Sequence, residues 1–223
     1  MDVADLLEKD IIFGNLHPRE RLTEDDLRQR FSLKRHAARL VLAELERRGS
    51  VERRKNIGAL VKSYTKGEVV DLYEVRAILE TNAARLISFP IPEERIQSLL
   101  GTQKEHDLAV ETTNFKALHD ANLRFHEEIF ALCKNKALQD AISEYARRTV
   151  AIRFSPFLFP GYLGKARATH YEMIEALRVG DRERLVELCR EHLVPARDAY
   201  IKAFFGLTGM PDQSRSSDAP APK

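Results

Sequence analysis

Apolar residues recur at helical spacing along most of the chain. In residues 2–13, Val3, Leu6, Leu7, Ile11 and Ile12 share one face, and Gly14 supplies a stop. A turn, NLHPRER, leads to Thr23, an N-cap residue, and Glu24, Asp25 and Asp26 suit the positive end of a helix dipole over 24–31. A third helix over 34–48 uses Leu42 and Leu45 as apolar contacts and stops at Gly49. Residues 51–54 and 59–63 read as two short strands around Lys55-Asn56-Ile57-Gly58, a hairpin with glycine in its turn. Two short helices joined by a tight turn, followed by a hairpin, predict a winged helix-turn-helix, whose second helix presents its N-terminal residues to the DNA major groove.

From Gly67 to about Leu207 the period is helical throughout. Helices are expected over 67–88, 92–111, 114–133, 136–154, 162–179 and 181–206. Pro90 and Pro92, Asn135, the run 156–161, and Gly180 punctuate them. The fold class is therefore mainly α, an N-terminal winged helix-turn-helix (1–66) plus a C-terminal all-α helical bundle (67–207). The end of the chain, PDQSRSSDAPAPK, lacks apolar content and predicts a disordered tail, placed at 208–223.

Composition narrows the class. With 223 residues, 43% hydrophobic and 31% charged, the chain reads as soluble and globular, of one or two domains. No apolar run is long enough for a membrane span, and Asp2, Asp5, Glu8 and Asp10 make the N-terminus too acidic for a signal peptide, so a cytoplasmic location is expected. Cys133 and Cys189 cannot build a disulfide scaffold. No Gly-rich phosphate loop is present, which argues against a nucleotide-binding α/β domain.

The net charge of +2 conceals a division. Residues 1–27 sum to −5, residues 28–66 to +9, and the remainder to −2. A basic segment can be a solvated surface or can face a polyanion, and the helix-turn-helix pattern inside this one favours double-stranded DNA. Lys34, Arg35, His36 and Arg39 open its second helix.

The helical bundle carries polar groups on its inward stripes. In 114–133 the stripe is Phe115, Leu118, Asn122, Phe125, Ile129 and Cys133, with His126 beside it. In 162–179 it is Leu163, His170, Ile174 and Leu177, and in 181–206 it is Leu185, Leu188, His192, Ala196, Ala199 and Ala203. If the last two helices form a hairpin at Gly180, His170 and His192 each lie roughly 15–17 Å from the turn and face each other. With Asn122 and His126 on a neighbouring helix they make an N3O set suited to Zn²⁺, Ni²⁺ or a similar divalent ion. The plain alternative is a set of satisfied core histidines. Arg76 and Glu80 lie at i, i+4 on the stripe Val69, Tyr73, Arg76, Glu80, Ala83 and Ile87, either as a surface ion pair or with Arg76 entering a pocket. Pro195 predicts a kink or a broken hydrogen-bond ladder in the last helix. His17, His106 and His119 acquire no role from the pattern.

Two stretches resemble known families. FGNLHPRERLTEDDL, LKRHAARLVLAELERRG and the wing ending IGALV resemble the DNA-binding domain of GntR-family transcriptional regulators. The resemblance implies that Arg35, Arg39 and Gly58 contact DNA. Arg19 stands where that family usually has glycine, and Lys34, His36, Ala37 and Leu40 replace commoner residues, so the operator sequence does not carry over. LYEVRAILETNAARL, NLRFHEEIF followed by NKAL, and ATHYEMIEALRVGDRERLVELCREHL resemble the FCD effector-binding domain of the FadR subgroup. There the resemblance implies a metal held at the positions of Asn122, His126, His170 and His192, with Asn122 replacing a more usual carboxylate.

The expected function is a homodimeric transcriptional regulator, read as a repressor, on a roughly palindromic operator. A small carboxylate bound at a metal-containing pocket, with Arg76 as a candidate contact, would control its DNA affinity. The alternatives are a metal-dependent hydrolase using the three histidines, against which the stripes offer no general base and Glu127 and Glu128 should point outward, and a regulator with a metal-free pocket.

Overall fold

The computed structural model describes residues 2–12, 14–54, 57–150, 152 and 162–206. Helix α1 (Val3–Ile12) buries Ala4, Leu7 and Ile11, and the chain leaves it through Gly14 at φ 74°. Helix α2 (Glu24–Phe31) opens with a capping box in which Thr23 Oγ1 accepts from the Asp26 N–H and the Asp26 carboxylate accepts from the Thr23 N–H. Ser32, in the left-handed region, closes α2 and turns the chain toward α3 (Arg35–Arg47). Lys34 occupies the N-cap of α3 and makes no side-chain cap. After α3 the Ser50 N–H reaches back to the Leu45 carbonyl across Gly49 at φ 77°.

The wing differs from expectation by one strand. Strands β2 (Val51–Arg54) and β3 (Gly58–Val61) form the hairpin, whose residues Lys55 and Asn56 lie outside the described set. A further strand, β1 (Arg21–Leu22), pairs antiparallel with β3, giving the order β1-β3-β2 with Leu22 opposite Ala59. Two residues are too few to display the alternation that reveals a strand, so this stretch read as a turn. Just before it, Arg19 adopts φ 68° and donates its N–H to the Val61 carbonyl at 2.9 Å. A left-handed position favours glycine, which explains the residue usual there. Gly58 has φ 104°, and a Cβ on it would stand 3.1 Å from the Leu22 carbonyl oxygen, so the sheet itself requires glycine.

Leu7, Leu27, Leu42, Leu45, Val51, Ala59 and Val61 form the core of this first unit. Arg48, at the end of α3, ties it together by ion pairs to Asp5 (2.8 Å) and Glu8 (2.9 Å) on α1 and to Glu44 (2.8 Å).

Among the described residues the next elements with defined bounds are the helices α4 (Lys66–Leu86), α5 (Glu93–Glu111), α6 (Phe115–Ala131), α7 (Lys136–Arg148), α8 (Tyr162–Val179) and α9 (Arg182–Phe205). Thr65, Asn114, Asn135 and Asp181 cap four of them with side-chain oxygens. Helix α7 stops at Arg148, short of the expected 154. Of the remaining residues 151, 153 and 154 lie outside the described set, as does the tail expected at 208–223. Helix α4 lies along α9, α5 lies along α6, and α8 touches both α5 and α9. Between them Ala83, Ile96, Leu99, Phe125, Ile129, Met173, Leu177, Leu185 and Leu188 make one apolar core. Each such large side chain contributes about 1.5–3 kcal/mol by leaving water.

The α8–α9 turn matches expectation. Gly180 sits at φ 80°, the Asp181 N–H bonds the Ala176 carbonyl at 2.9 Å, and the Asp181 carboxylate accepts from the Arg184 N–H at 2.9 Å. Helix α9 continues through Pro195 to Phe205, so the proline removes one ladder donor without ending the helix. Leu45→Ala, which empties a fully buried site beneath the wing, is expected to destabilise the first unit by about 2–5 kcal/mol, read as a lower denaturant midpoint.

Candidate metal centre and nucleic-acid interface

Helix α3 divides cleanly into two faces. Ala38, Leu42 and Leu45 are buried, whereas Lys34, Arg35, His36 and Arg39 are exposed with Leu40 beside them. Both arginines share a partner that the sequence pattern had assigned to dipole stabilisation. Glu24, the first residue of α2, accepts from Arg35 Nε at 3.3 Å on one carboxylate oxygen and from Arg39 Nε at 3.2 Å on the other. The hydrogen bond from Arg39 leads in holding the Glu24 carboxyl below the usual carboxylate range, with that from Arg35 assisting against the desolvation of the group. Glu24 escaped notice because the contact crosses between two helices, a relation that periodicity within one helix does not express.

The three histidines expected to converge do so. His126 on α6, His170 on α8 and His192 on α9 bring one ring nitrogen each within 4.8 Å of one another. His126 and His170 are buried and His192 is half-buried. His170 Nε2 and His192 Nε2 stand 3.3 Å apart. Two nitrogens bound tetrahedrally at Zn–N distances of 2.0–2.1 Å lie about 3.3 Å apart, so this pair already has the spacing of one edge of such a site. The Phe125 ring stacks on His170 with centroids 4.1 Å apart and restricts its rotation. Asn122 is half-buried one helical turn before His126. Cys133 and Cys189 are buried outside the cluster, and burial pushes the Cys189 thiol well above its ordinary range. Three imidazoles with a nearby amide oxygen fit a borderline divalent ion such as Zn²⁺ or Ni²⁺.

Beside His126 a cavity of ≈ 420 Å³ opens between α4, α6 and α7, with Arg76, Glu80, Lys136 and Arg147 among its lining. The Arg76–Glu80 pair is not on the surface, since each side chain is 3% exposed. Glu80 Oε1 accepts from Arg76 Nε at 2.9 Å and pairs with Nη2 at 2.8 Å. Arg76 Nη1 lies 3.4 Å from Thr149 Oγ1, and the guanidinium sits over the Tyr73 ring. Glu127 is exposed at the cavity rim. Glu128 does not point outward as expected; it turns to α5 and accepts from Ser98 at 2.8 Å and Thr102 at 2.6 Å. On the far side of Leu123 and Arg147 a cleft of ≈ 800 Å³ is lined also by Glu8, Arg47 and Arg48 of the first unit.

A polar group that the pattern missed adjoins His170. Gln103, His106 and Asp107 on α5 are buried, continuing the face begun by Ile96 and Leu99. The sequence pattern assigns His106 no role and singles out neither Gln103 nor Asp107, because their spacing alone gives no reason to place them inside. Burial holds the His106 imidazole below its ordinary range against the pull of Asp107.

Comparison with known proteins accords with this geometry. Residues 71–194 match the FCD domain, and residues 1–61 match the family described as bacterial regulatory proteins, gntR family. The chain belongs to the GntR family of regulators. This GntR chain is 27% identical over 137 residues to the uncharacterized HTH-type transcriptional regulator YdhC of Bacillus subtilis, a match covering 61% of each. It is 20% identical over 188 residues to the HTH-type transcriptional repressor RspR of Escherichia coli, covering 84% of this chain and 82% of that one. Its fold resembles that of E. coli McbR/YncC, with a TM-score of 0.74 at 17% identity over 91% of this chain and 96% of that one. A GntR regulator structure from Rhodococcus sp. RHA1 has a TM-score of 0.70 at 20% identity, covering 91% and 97%. As a GntR-family member the chain is a DNA-binding transcriptional regulator and not an enzyme, which removes the hydrolase alternative. No helix among the described residues is long and apolar enough to cross a membrane.

Glu80→Gln leaves the buried Arg76 without its counter-charge and is expected to cost about 3–5 kcal/mol in denaturant unfolding. Replacing both residues by apolar ones of similar volume should recover most of that loss.

Proposed function

We propose that this regulator is a homodimer of the FadR subgroup that represses transcription from a roughly palindromic operator, and that a small carboxylate bound beside a divalent ion lowers its operator affinity. The observation that carries the reading is the convergence of three histidines from three helices, one of which, His126, lines a cavity, in an FCD domain joined to a winged helix-turn-helix. Lys34, Arg35, His36 and Arg39 would read one half-site in the major groove, and Gly58 would let the wing backbone approach the adjacent groove. Repression is the role named for the E. coli relative RspR.

Asn122, His126, His170 and His192 would hold the ion, Zn²⁺ or Ni²⁺, which when bound offers open coordination positions to a carboxylate. Arg76 would offer its guanidinium to a carboxylate in the adjoining cavity, held in place by Glu80. Leu123 and Arg147 line both that cavity and the cleft against the first unit, so an occupant that displaces either side chain would alter how the DNA-binding unit packs. The ligand's effect is bounded by its difference in affinity between the two arrangements.

Arg35→Ala and Arg39→Ala should each weaken binding to a sequence-selected operator by about 1–3 kcal/mol and flatten its sequence preference. Unchanged operator affinity in both variants refutes the assignment of the recognition face. Protein prepared without chelator or affinity tag should carry close to one divalent ion per chain, and His170→Ala should abolish it. A stoichiometry near zero that persists after adding Zn²⁺ or Ni²⁺ leaves the histidines to bind the ligand directly.

A further inference from the structure

We infer that Gln103 is a positioning residue for the histidine cluster: its amide, oriented by Asp107, fixes the tautomer of His170 so that Nε2 presents its lone pair to the site. The inference rests on the metal reading for its purpose, but its geometry stands independently.

The assignment follows from which groups can donate. Asp107 Oδ2 accepts from the Tyr171 hydroxyl at 2.7 Å and pairs with Arg167 Nη2 at 3.0 Å, so both of these partners donate to it. Its other oxygen, Oδ1, lies 2.8 Å from the Gln103 amide. A carboxylate cannot donate, so the amide must turn its Nε2 toward Asp107 and its Oε1 the other way. Oε1 then lies 2.8 Å from His170 Nδ1 and can only accept. Nδ1 must therefore carry the ring proton, and in the neutral ring Nε2 is left as the acceptor, 3.3 Å from His192 Nε2. Each link is buried: Gln103 and His170 are 0% exposed and Asp107 7%. The second amide proton of Gln103 faces His106 Nδ1 at 3.4 Å, which keeps the amide from swinging away. The chain of groups thus runs carboxylate, amide, imidazole, across α5 and α8, with Arg167 and Tyr171 closing its outer end.

Histidine ligands commonly donate their remote N–H to a carboxylate or carbonyl, and loss of that partner weakens metal binding 10–100-fold. Here the amide extends that relation by one residue. Asp107, acting through Gln103, therefore acquires control of the ligand's tautomer.

The test combines metal affinity with a direct reading of the tautomer. Zn²⁺ titration against a competing chelator should show a roughly 10–100-fold loss of affinity for Gln103→Leu. Asp107→Asn should show a loss of the same kind, because the amide it introduces can donate to the Gln103 oxygen and lets Gln103 flip its NH₂ toward Nδ1. The paired swap Gln103→Glu with Asp107→Asn restores an acceptor facing Nδ1 and should recover affinity. In metal-free protein, ¹⁵N imidazole NMR should find His170 protonated at Nδ1 in the wild type and shifted toward Nε2–H in Asp107→Asn. An Nε2-protonated His170 in the wild type, or folded Gln103→Leu and Asp107→Asn variants binding Zn²⁺ within twofold of wild type, overturns the inference. Should the wild type take up no metal, the metal reading falls, and the tautomer measurement alone decides whether Gln103 positions His170.

Discussion

The turn at Gly180 and Asp181 sets the level at which α8 and α9 pass each other, and the histidine cluster depends on that level. His170 lies ten residues before the turn and His192 eleven after its cap, so at about 1.5 Å per residue both reach the same height. Their Nε2 atoms then stand 3.3 Å apart. One residue more in either helix would rotate one ring by about 100° and lift it by about 1.5 Å, removing the pair. The glycine permits the positive φ, the aspartate caps the following helix, and Phe125 presses the His170 ring from the side. Much of what the FCD unit could do chemically follows from that reversal of the chain.

Around the cluster the interior holds charged side chains, Arg76, Glu80 and Asp107, and the cost is offset locally. Arg76 has Glu80 as its counter-charge, and Asp107 has Tyr171 and Arg167. Such pairs stabilise a fold only weakly compared with well-packed apolar residues, and removing one partner is expensive. The presence of Arg76 and Glu80 beside a cavity is thus easier to understand as positioning than as stabilisation. The winged unit handles charge differently. Its acidic first segment does not merely dilute the basic one. Asp5 and Glu8 hold Arg48, Asp10 holds Arg30, and Glu24 holds Arg35 and Arg39, so the cancellation seen in the net charge is made by contacts. The exposed arginines at the start of α3 are thus already braced.

The elements most visible in the sequence were those with long periodic stripes. The stripe Val69, Tyr73, Arg76, Glu80, Ala83 and Ile87 is buried throughout, including its two charged members. The caps at Thr23 and Asp181 and the stops at Gly14, Gly49 and Gly180 were also legible, because each is a local demand for one side chain or one backbone region. Strand β1 was not, being two residues long and defined by its partner β3. Nor were Gln103, His106 and Asp107, polar residues whose burial depends on what packs over α5. The outward orientation expected of Glu128 failed for the same kind of reason, since Ser98 and Thr102 of α5 supply two hydroxyl donors that its own helix does not reveal.

Sequence alone therefore settled the helices and the wing hairpin, their order, and the faces on which Arg35, Arg39, His126, His170 and His192 lie, because periodicity and capping act within a few residues of chain. It could also place His170 and His192 at one level, since a hairpin with a known turn converts residue counts into distance. Tertiary structure decided which faces meet. The bracing of two arginines by Glu24, the burial of Arg76 with Glu80, and the line from Asp107 through Gln103 to His170 all join residues on different helices or turn on what packs over them. Such contacts depend on how helices are rotated and packed against one another, which no pattern confined to one helix encodes.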